Sequence, residues 1–192
     1  YLNYSLYNFT FFSEAAKSAN GGVGIVAGIL GSLAKNIDVA LLFRNYQRNY
    51  FSFYSNALAE SSTPQNERGF YWGFKYKLAS QWQLTGYADV FEFPWLRFRS
   101  YSPSTGYEWL LRIQYQPAKT ISISAQFREE AKQRNISTNG SFYETAQGAK
   151  RNAFINADYA YDRRLSFKTR LQFSNFYIDN NATRGMTLFQ DI

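Results

Sequence analysis

The sequence predicts an all-β fold, an antiparallel up-and-down meander of about ten strands forming part of a transmembrane β-barrel. Three observations carry this. Apolar and polar residues alternate over most of the chain, the period of a strand with one apolar and one polar face. The connections alternate between tight turns and long polar loops. Aromatic residues make up 20% of a 192-residue chain whose mean hydropathy is only −0.42, and they gather on the apolar rows.

The elements follow in order. Gly21–Ala34 is apolar and uncharged, and could be read as a short buried helix. Its glycines Gly21, Gly22, Gly24, Gly28 and Gly31 argue against that, since each costs about 1 kcal/mol in a helix. Val23, Ile25, Ala27 and Ile29 also keep the alternation, so it reads as a strand. In Ile37–Arg48 the row Ile37, Val39, Leu41, Phe43 alternates with Asp38, Ala40, Leu42, Arg44. In Gly69–Leu78 the row is Phe70, Trp72, Phe74, Tyr76, Leu78. Tyr107, Trp109, Leu111, Ile113 and Tyr115 face away from Glu108, Leu110, Arg112, Gln114 and Gln116. Ile121, Ile123, Ala125 and Phe127 oppose Ser122, Ser124, Gln126 and Arg128. The rows Ala153–Tyr161 and Leu165–Phe173 complete the series, and the segment ending at Ile192 reads as an incomplete strand.

Tight turns are expected at Ala34-Lys35, Ala79-Ser80, Ala118-Lys119 and Asp162-Arg163. Long loops are expected near Asn49–Glu67, Glu92–Thr105 and Lys132–Lys150, with shorter ones at Lys17–Asn20 and Asp179–Arg184. Pairing Leu78 with Trp82 sets Phe74 against Gly86, Trp72 against Ala88, Gly73 against Tyr87 and Tyr71 against Asp89. Large side chains then cover small ones, as a sheet glycine under an aromatic ring requires. Pairing Tyr161 with Leu165 sets Asp158 against Lys168. Pairing Gln116 with Thr120 sets Glu108 against Arg128. Opposite charges thus meet in two registers chosen independently.

A soluble β-sandwich also alternates, but its strands are short and its core rows are aliphatic. Here the strands are long. The expected interface aromatics are Trp72, Tyr76, Trp82, Trp109, Tyr115, Tyr159 and Tyr161, in the manner of the girdles that flank a lipid-facing band. Only a closed barrel pairs every strand backbone group in lipid.

Several stretches carry a resemblance: Asn8-Phe9-Thr10-Phe11-Phe12-Ser13-Glu14-Ala15-Ala16-Lys17, Lys35-Asn36-Ile37-Asp38-Val39-Ala40 and Phe43-Arg44-Asn45-Tyr46-Gln47-Arg48-Asn49-Tyr50. Phe93-Pro94-Trp95-Leu96-Arg97, Tyr107-Glu108-Trp109-Leu110-Leu111-Arg112 and Arg128-Glu129-Glu130-Ala131-Lys132-Gln133-Arg134-Asn135 continue it. They resemble the barrel region of Gram-negative outer-membrane proteins that carry helix-hairpin-helix repeats near the N-terminus. The resemblance implies an outer-membrane location, further strands after Ile192, and a preceding periplasmic helical region that these residues do not include. Residues 1–192 are accordingly expected to be one segment of a larger barrel, cut at both ends. The resemblance implies no activity for particular residues.

The chain has no Cys and no His, which excludes disulfides, thiolate or imidazole metal sites and a Ser-His-Asp triad within this segment. Glu129 and Glu130 are adjacent and point to opposite faces of a strand, so they form no catalytic carboxylate pair. Gly21-Gly22-Val23-Gly24 lacks the Gly-Lys-Ser/Thr of a phosphate loop. Phe93-Pro94-Trp95 reads as the end of a strand at a rim. Asn135-Ile136-Ser137 and Asn181-Ala182-Thr183 match a glycosylation sequon that carries no weight in a bacterium. No enzyme activity, metal or cofactor is expected.

The candidate functional residues are the charges of the polar row, expected to face a lumen: Glu14, Asp38, Arg44, Arg48, Lys75, Lys77, Asp89, Glu108, Arg112, Arg128, Glu130, Lys132, Asp158, Lys168 and Arg170. One reading is a pore whose cations favour anionic solutes. The other is a salt-bridged ladder that fills or stiffens the lumen. Lys and Arg outnumber Asp and Glu by 21 to 14, and much of this +7 is expected to pair internally. The expected partners are outer-membrane lipid and other outer-membrane or periplasmic proteins. Nucleic acid is not expected, because the cations are dispersed and lie opposite the aromatic rows. The expected role is channel or transport passage. A structural or assembly barrel anchoring a periplasmic domain and a soluble β-sheet binding module are the alternatives.

Overall fold

The computed structural model describes residues 1–53, 57–136, 143–162, 165–179 and 181–192. Among them eleven strands form one sheet in sequence order: β1 (Leu2–Leu6), β2 (Phe9–Lys17), β3 (Val23–Ala34), β4 (Ile37–Tyr46), β5 (Glu67–Ala79), β6 (Trp82–Phe93), β7 (Ser104–Ala118), β8 (Ile121–Ile136), β9 (Glu144–Ala160), β10 (Ser166–Ile178) and β11 (Asn181–Asp191). Every neighbouring pair is antiparallel. The all-β meander is therefore present, with eleven strands where about ten were expected from the alternation. The sheet is open: β1 pairs with β2 alone and β11 with β10 alone, so these residues are not closed into a barrel.

Period two becomes two chemically distinct faces. On β5 the apolar row Phe70, Trp72, Phe74, Tyr76 lies opposite Glu67, Gly69, Tyr71, Gly73, Lys75 and Lys77, and the ladders carry this division from strand to strand. Several expected pairs are found, including Phe74 with Gly86, Trp72 with Ala88, Gly73 with Tyr87 and Tyr71 with Asp89. A Cβ on Gly86 would lie 2.8 Å from a Phe74 ring carbon, so the ring sits directly on the glycine.

Two registers differ from expectation, both because a bulge adds a residue beside a tight turn. Trp82 pairs with Ala79 instead of Leu78, after an irregularity between Lys77 and Ala79. Between β7 and β8 the irregularity lies between Tyr115 and Ala118, so Glu108 sits opposite Glu130 and Arg128 opposite Leu110. At β9–β10 the expected register holds, with Asp158 opposite Lys168. Asp158 nevertheless takes its 2.8 Å hydrogen bond from Asn156 Nδ2.

The expected loop Lys132–Lys150 is largely strand, since β8 runs 16 residues and β9 17. The outer ends of these strands are polar on both faces, where Arg151 Nε donates to Glu129 at 2.7 Å, and apolar alternation has nothing to show there. Residues 137–142 between them, Ser137 of one sequon, Arg163 of the expected tight turn and Asn180 lie outside the described residues.

The apolar face is the exposed one. Phe70 is 46% exposed, Trp72 45%, Val90 54% and Ile155 54%, while Arg44 and Glu67 on the opposite face are 0% exposed. On β7 the apolar row runs from Tyr107 to Tyr115, about 27 Å at the rise of an antiparallel strand. It is bordered towards the long loops by Arg68, Glu92, Glu129 and Arg151, which form ion pairs with one another. Towards the tight turns it ends on Tyr76, Trp82, Tyr115 and Tyr159, and the Trp82 and Tyr115 rings stack at 4.3 Å.

Gly106 tests the packing of the polar face. A Cβ there would lie 2.5 Å from a Phe91 ring carbon and 2.8 Å from the Ala131 carbonyl oxygen, and the carbonyl belongs to the ladder and cannot swing aside. Gly106→Ala is expected to cost about 1–3 kcal/mol, read as a lower chemical-denaturation midpoint.

Candidate functional site

The polar face is organised around two ion clusters. In the first, Arg44 of β4 reaches across β5 to β6. Its Nε donates to Glu67 Oε1 at 2.6 Å, and its two terminal nitrogens donate to the two Asp89 oxygens at 2.9 and 3.1 Å. Gly69 leaves the room, since a Cβ there would lie 2.4 Å from Arg44 Cζ. The bidentate grip fits the planar guanidinium, and a fully buried cation needs such partners.

The second cluster lies on β6–β8. Direct opposition of Glu108 and Glu130 would be repulsive. Arg128 relieves it, with Nη2 at 2.5 Å from Glu108 and 3.5 Å from Glu130. The expected Glu108–Arg128 pair therefore exists, but diagonally. Tyr87 donates its hydroxyl to Glu108, and Lys132 Nζ lies 2.6 Å from Glu130.

Glu60, in the loop between β4 and β5, joins the two. The amides of Glu60 and Ser61 donate to Glu67 at 2.8 and 3.2 Å, while the Glu60 carboxylate pairs with Lys132. The loop is thereby folded onto the polar face and tied to both β5 and β8. Burial pushes the Glu60 carboxyl above its ordinary range; Lys132 pulls it down, and the nearby Glu130 and Glu108 add to the rise.

Beside this tie is a cavity of about 660 Å³ at the long-loop rim. It is lined by Arg48, Glu60, Ser61, Asn66, Phe93, Trp95, Arg97, Phe98, Arg99, Lys132 and Arg134, among others. The loop between β6 and β7 builds one wall, closed by reciprocal backbone bonds of 2.9 and 3.0 Å between Arg97 and Ser100. Asn66 Nδ2 fastens it to the β4–β5 loop through the Trp95 carbonyl at 2.9 Å. Asn66 and Arg99 both hold left-handed backbone, at φ 53° and 63°. Such conformations are sparse outside glycine and persist where surroundings enforce them.

Of the residues expected to face a lumen, Glu14, Asp38, Arg44, Lys75, Lys77, Asp89, Glu108, Arg112, Arg128, Glu130, Lys132, Asp158, Lys168 and Arg170 share the polar face through the ladder registers. Arg48 lies instead in the loop after β4, 4.3 Å over the Trp95 ring. Of the expected interface aromatics, Trp72 has Phe70 beyond it and so lies within its row, Trp109 faces Glu129, and Tyr161 follows β9. Glu60, Glu67 and Arg97 were not among the expected residues. Glu67 continues the polar row of β5 and was legible by parity; loop residues have no such period.

Among the described residues, ion pairs engage Arg44, Arg68, Arg128, Lys132 and Arg151. Among the described residues no group of His, Cys, Asp and Glu is placed to hold a metal ion, and no helix is long and apolar enough to cross a membrane. No family model, curated protein or solved structure matches the chain.

Arg44→Leu leaves Glu67 buried without its cation and is expected to cost about 3–5 kcal/mol in chemical denaturation. Replacing Arg44, Glu67 and Asp89 together by Met, Leu and Leu should cost less, because no charge is then stranded. A second test concerns Glu60. A carboxyl raised in the docked loop binds its proton more tightly there than when undocked, so docking gains as pH falls and is weakest at neutral pH. Cleavage within residues 57–66 by a protease active over the range should slow as pH falls from neutral towards the ordinary carboxylate range.

Proposed function

We propose that this sheet is part of the wall of a transmembrane β-barrel in a Gram-negative outer membrane, with its apolar face towards lipid and its ionic face lining a lumen that passes solutes. The observation that carries the reading is the inverted burial: Arg44, Glu67, Ser104 and Ser124 are buried while Phe70, Trp72, Val90, Leu111 and Ile155 are exposed. In water such a continuous aromatic and aliphatic surface would far exceed the patches that soluble monomers carry, which speaks against a soluble binding module. In lipid it is the expected solvent face, and its height is close to the roughly 25 Å apolar band of outer-membrane barrels. The resemblance to outer-membrane barrels with helix-hairpin-helix repeats agrees. Closure requires the free edges of β1 and β11 to pair, with each other or with further strands, because lipid offers no partner for open backbone groups.

Charge distribution supports passage of anionic solutes. Towards the tight turns the polar face carries Lys77, Lys168 and Arg170, exposed and in no ion pair among the described residues, with Asp158 and Asp191 opposite Lys168 in the ladders. Towards the long loops, the Glu60 tie narrows the path. That tie is also what favours the second reading, an occluded barrel that anchors a periplasmic domain or partner proteins.

The full-length protein should require detergent, migrate faster on a gel before boiling than after, and conduct ions in planar bilayers. Lys168→Glu with Arg170→Glu should shift the conductance towards cations. Folded protein in a silent bilayer would favour the anchoring role, and full solubility without detergent would overturn the barrel.

A further inference from the structure

The rim cavity has a chemistry that the passage of solutes does not require. It collects Arg48, Arg97, Arg99, Lys132 and Arg134 around the single carboxylate Glu60. Lys132 is spoken for by Glu60 and Glu130. No carboxylate among the described residues forms an ion pair with Arg48, Arg97, Arg99 or Arg134. Four guanidinium groups thus share one cavity with no ion-paired carboxylate of their own among the described residues, an arrangement that favours entry of an anion.

Their posture suits an oxyanion. Arg48 lies over the Trp95 ring at 4.3 Å and Arg97 over the Phe93 ring at 3.8 Å. Stacking occupies the flat faces of the guanidinium and leaves its edge, the five-donor fork, turned away from the ring. The Arg97 edge is under-used: Nε is buried without a partner, and Nη2 reaches the Gln133 carbonyl only at 3.5 Å.

We infer that this cavity is a binding site for a phosphate-bearing anion of at least two charges, held by the guanidinium edges of Arg48, Arg97, Arg99 and Arg134. A single carboxylate would offset one of the four cations, whereas a phosphate monoester offsets about two, a diphosphate more, and both accept the bidentate hydrogen bonds a guanidinium offers. The volume exceeds what inorganic phosphate needs and falls in the range of small-molecule sites, so the phosphate is one end of a larger ligand. Because the cavity is built within the described loops and strands, the inference stands whether or not the sheet closes. A soluble phosphate compound and a lipid phosphate headgroup present the same chemistry to it.

The test is calorimetric titration of the full-length protein in a non-ionic detergent at low salt with inorganic pyrophosphate. Saturable binding that weakens as salt rises is expected. Arg48→Gln with Arg134→Gln should weaken it by about tenfold or more, since each removes charge-assisted hydrogen bonds. Arg170→Gln, on the same face but outside the cavity, should leave it unchanged. Arg99→Gln provides an independent route should the double variant unfold, and far-UV circular dichroism establishes folding in each case. No saturable binding, or equal weakening by Arg170→Gln, overturns the proposal, the latter because it would mark a diffuse surface field. Competition by phosphatidylglycerol vesicles but not by phosphatidylcholine vesicles would assign the site to a lipid headgroup; pyrophosphate binding indifferent to both assigns it to a soluble ligand.

Discussion

Strict side-chain alternation, locked by register, is the constraint on which the rest of this structure depends. A slip of one residue in any ladder would carry a row such as Phe70, Trp72, Phe74 to the ionic face and strand Glu67 and Lys75 among apolar neighbours. The exposed row has no need of protein partners if its solvent is lipid. The ionic face must satisfy itself, because buried charges without partners are costly. Arg44 is the clearest case: it is fully buried, reaches two strands through the space that Gly69 leaves, and meets carboxylates on both sides.

The two ends of the sheet serve different purposes. Towards the tight turns, bulges beside the β3–β4, β5–β6 and β7–β8 connections shift the last pair of each ladder, and aromatic rings close the apolar band. Towards the long loops, polar residues occupy both faces, and Glu60 couples the Arg44 cluster to the Arg128–Lys132 cluster. The result is a face with free cations at one end and a compensated network at the other, followed by a rim where cations again prevail.

How much of this was legible in the sequence depends on whether a residue belongs to a periodic row. The face of each polar-row charge within a strand follows from parity, Arg48 in its loop being the exception, and so do Phe74 over Gly86 and Tyr71 beside Asp89. Parity survives a two-residue slip, which is why Glu108 and Arg128 were placed on the right face in the wrong register. The bulge near Tyr115 is a property of turn geometry, to which alternation is blind. The outer halves of β8 and β9 escaped notice because both their faces are polar. The docking of residues 58–66 onto the polar face and the rim cavity are tertiary: nothing in the local order of Glu60 indicates that it meets Lys132. Closure is a matter of the free edges, which no periodicity within a strand records.

Which solvent meets each face of β7 decides between a lipid-facing wall and a sheet in water. The chain has no native Cys, so single-cysteine variants carry spin labels without background. Labels at positions 109, 110, 111, 112, 113 and 114 of the full-length protein in lipid bilayers would report collision with oxygen, which concentrates in lipid, and with a water-soluble nickel complex. The account predicts a period of two, with Trp109, Leu111 and Ile113 positions accessible to oxygen and Leu110, Arg112 and Gln114 positions shielded from it. Nickel access in phase with the first set would contradict it.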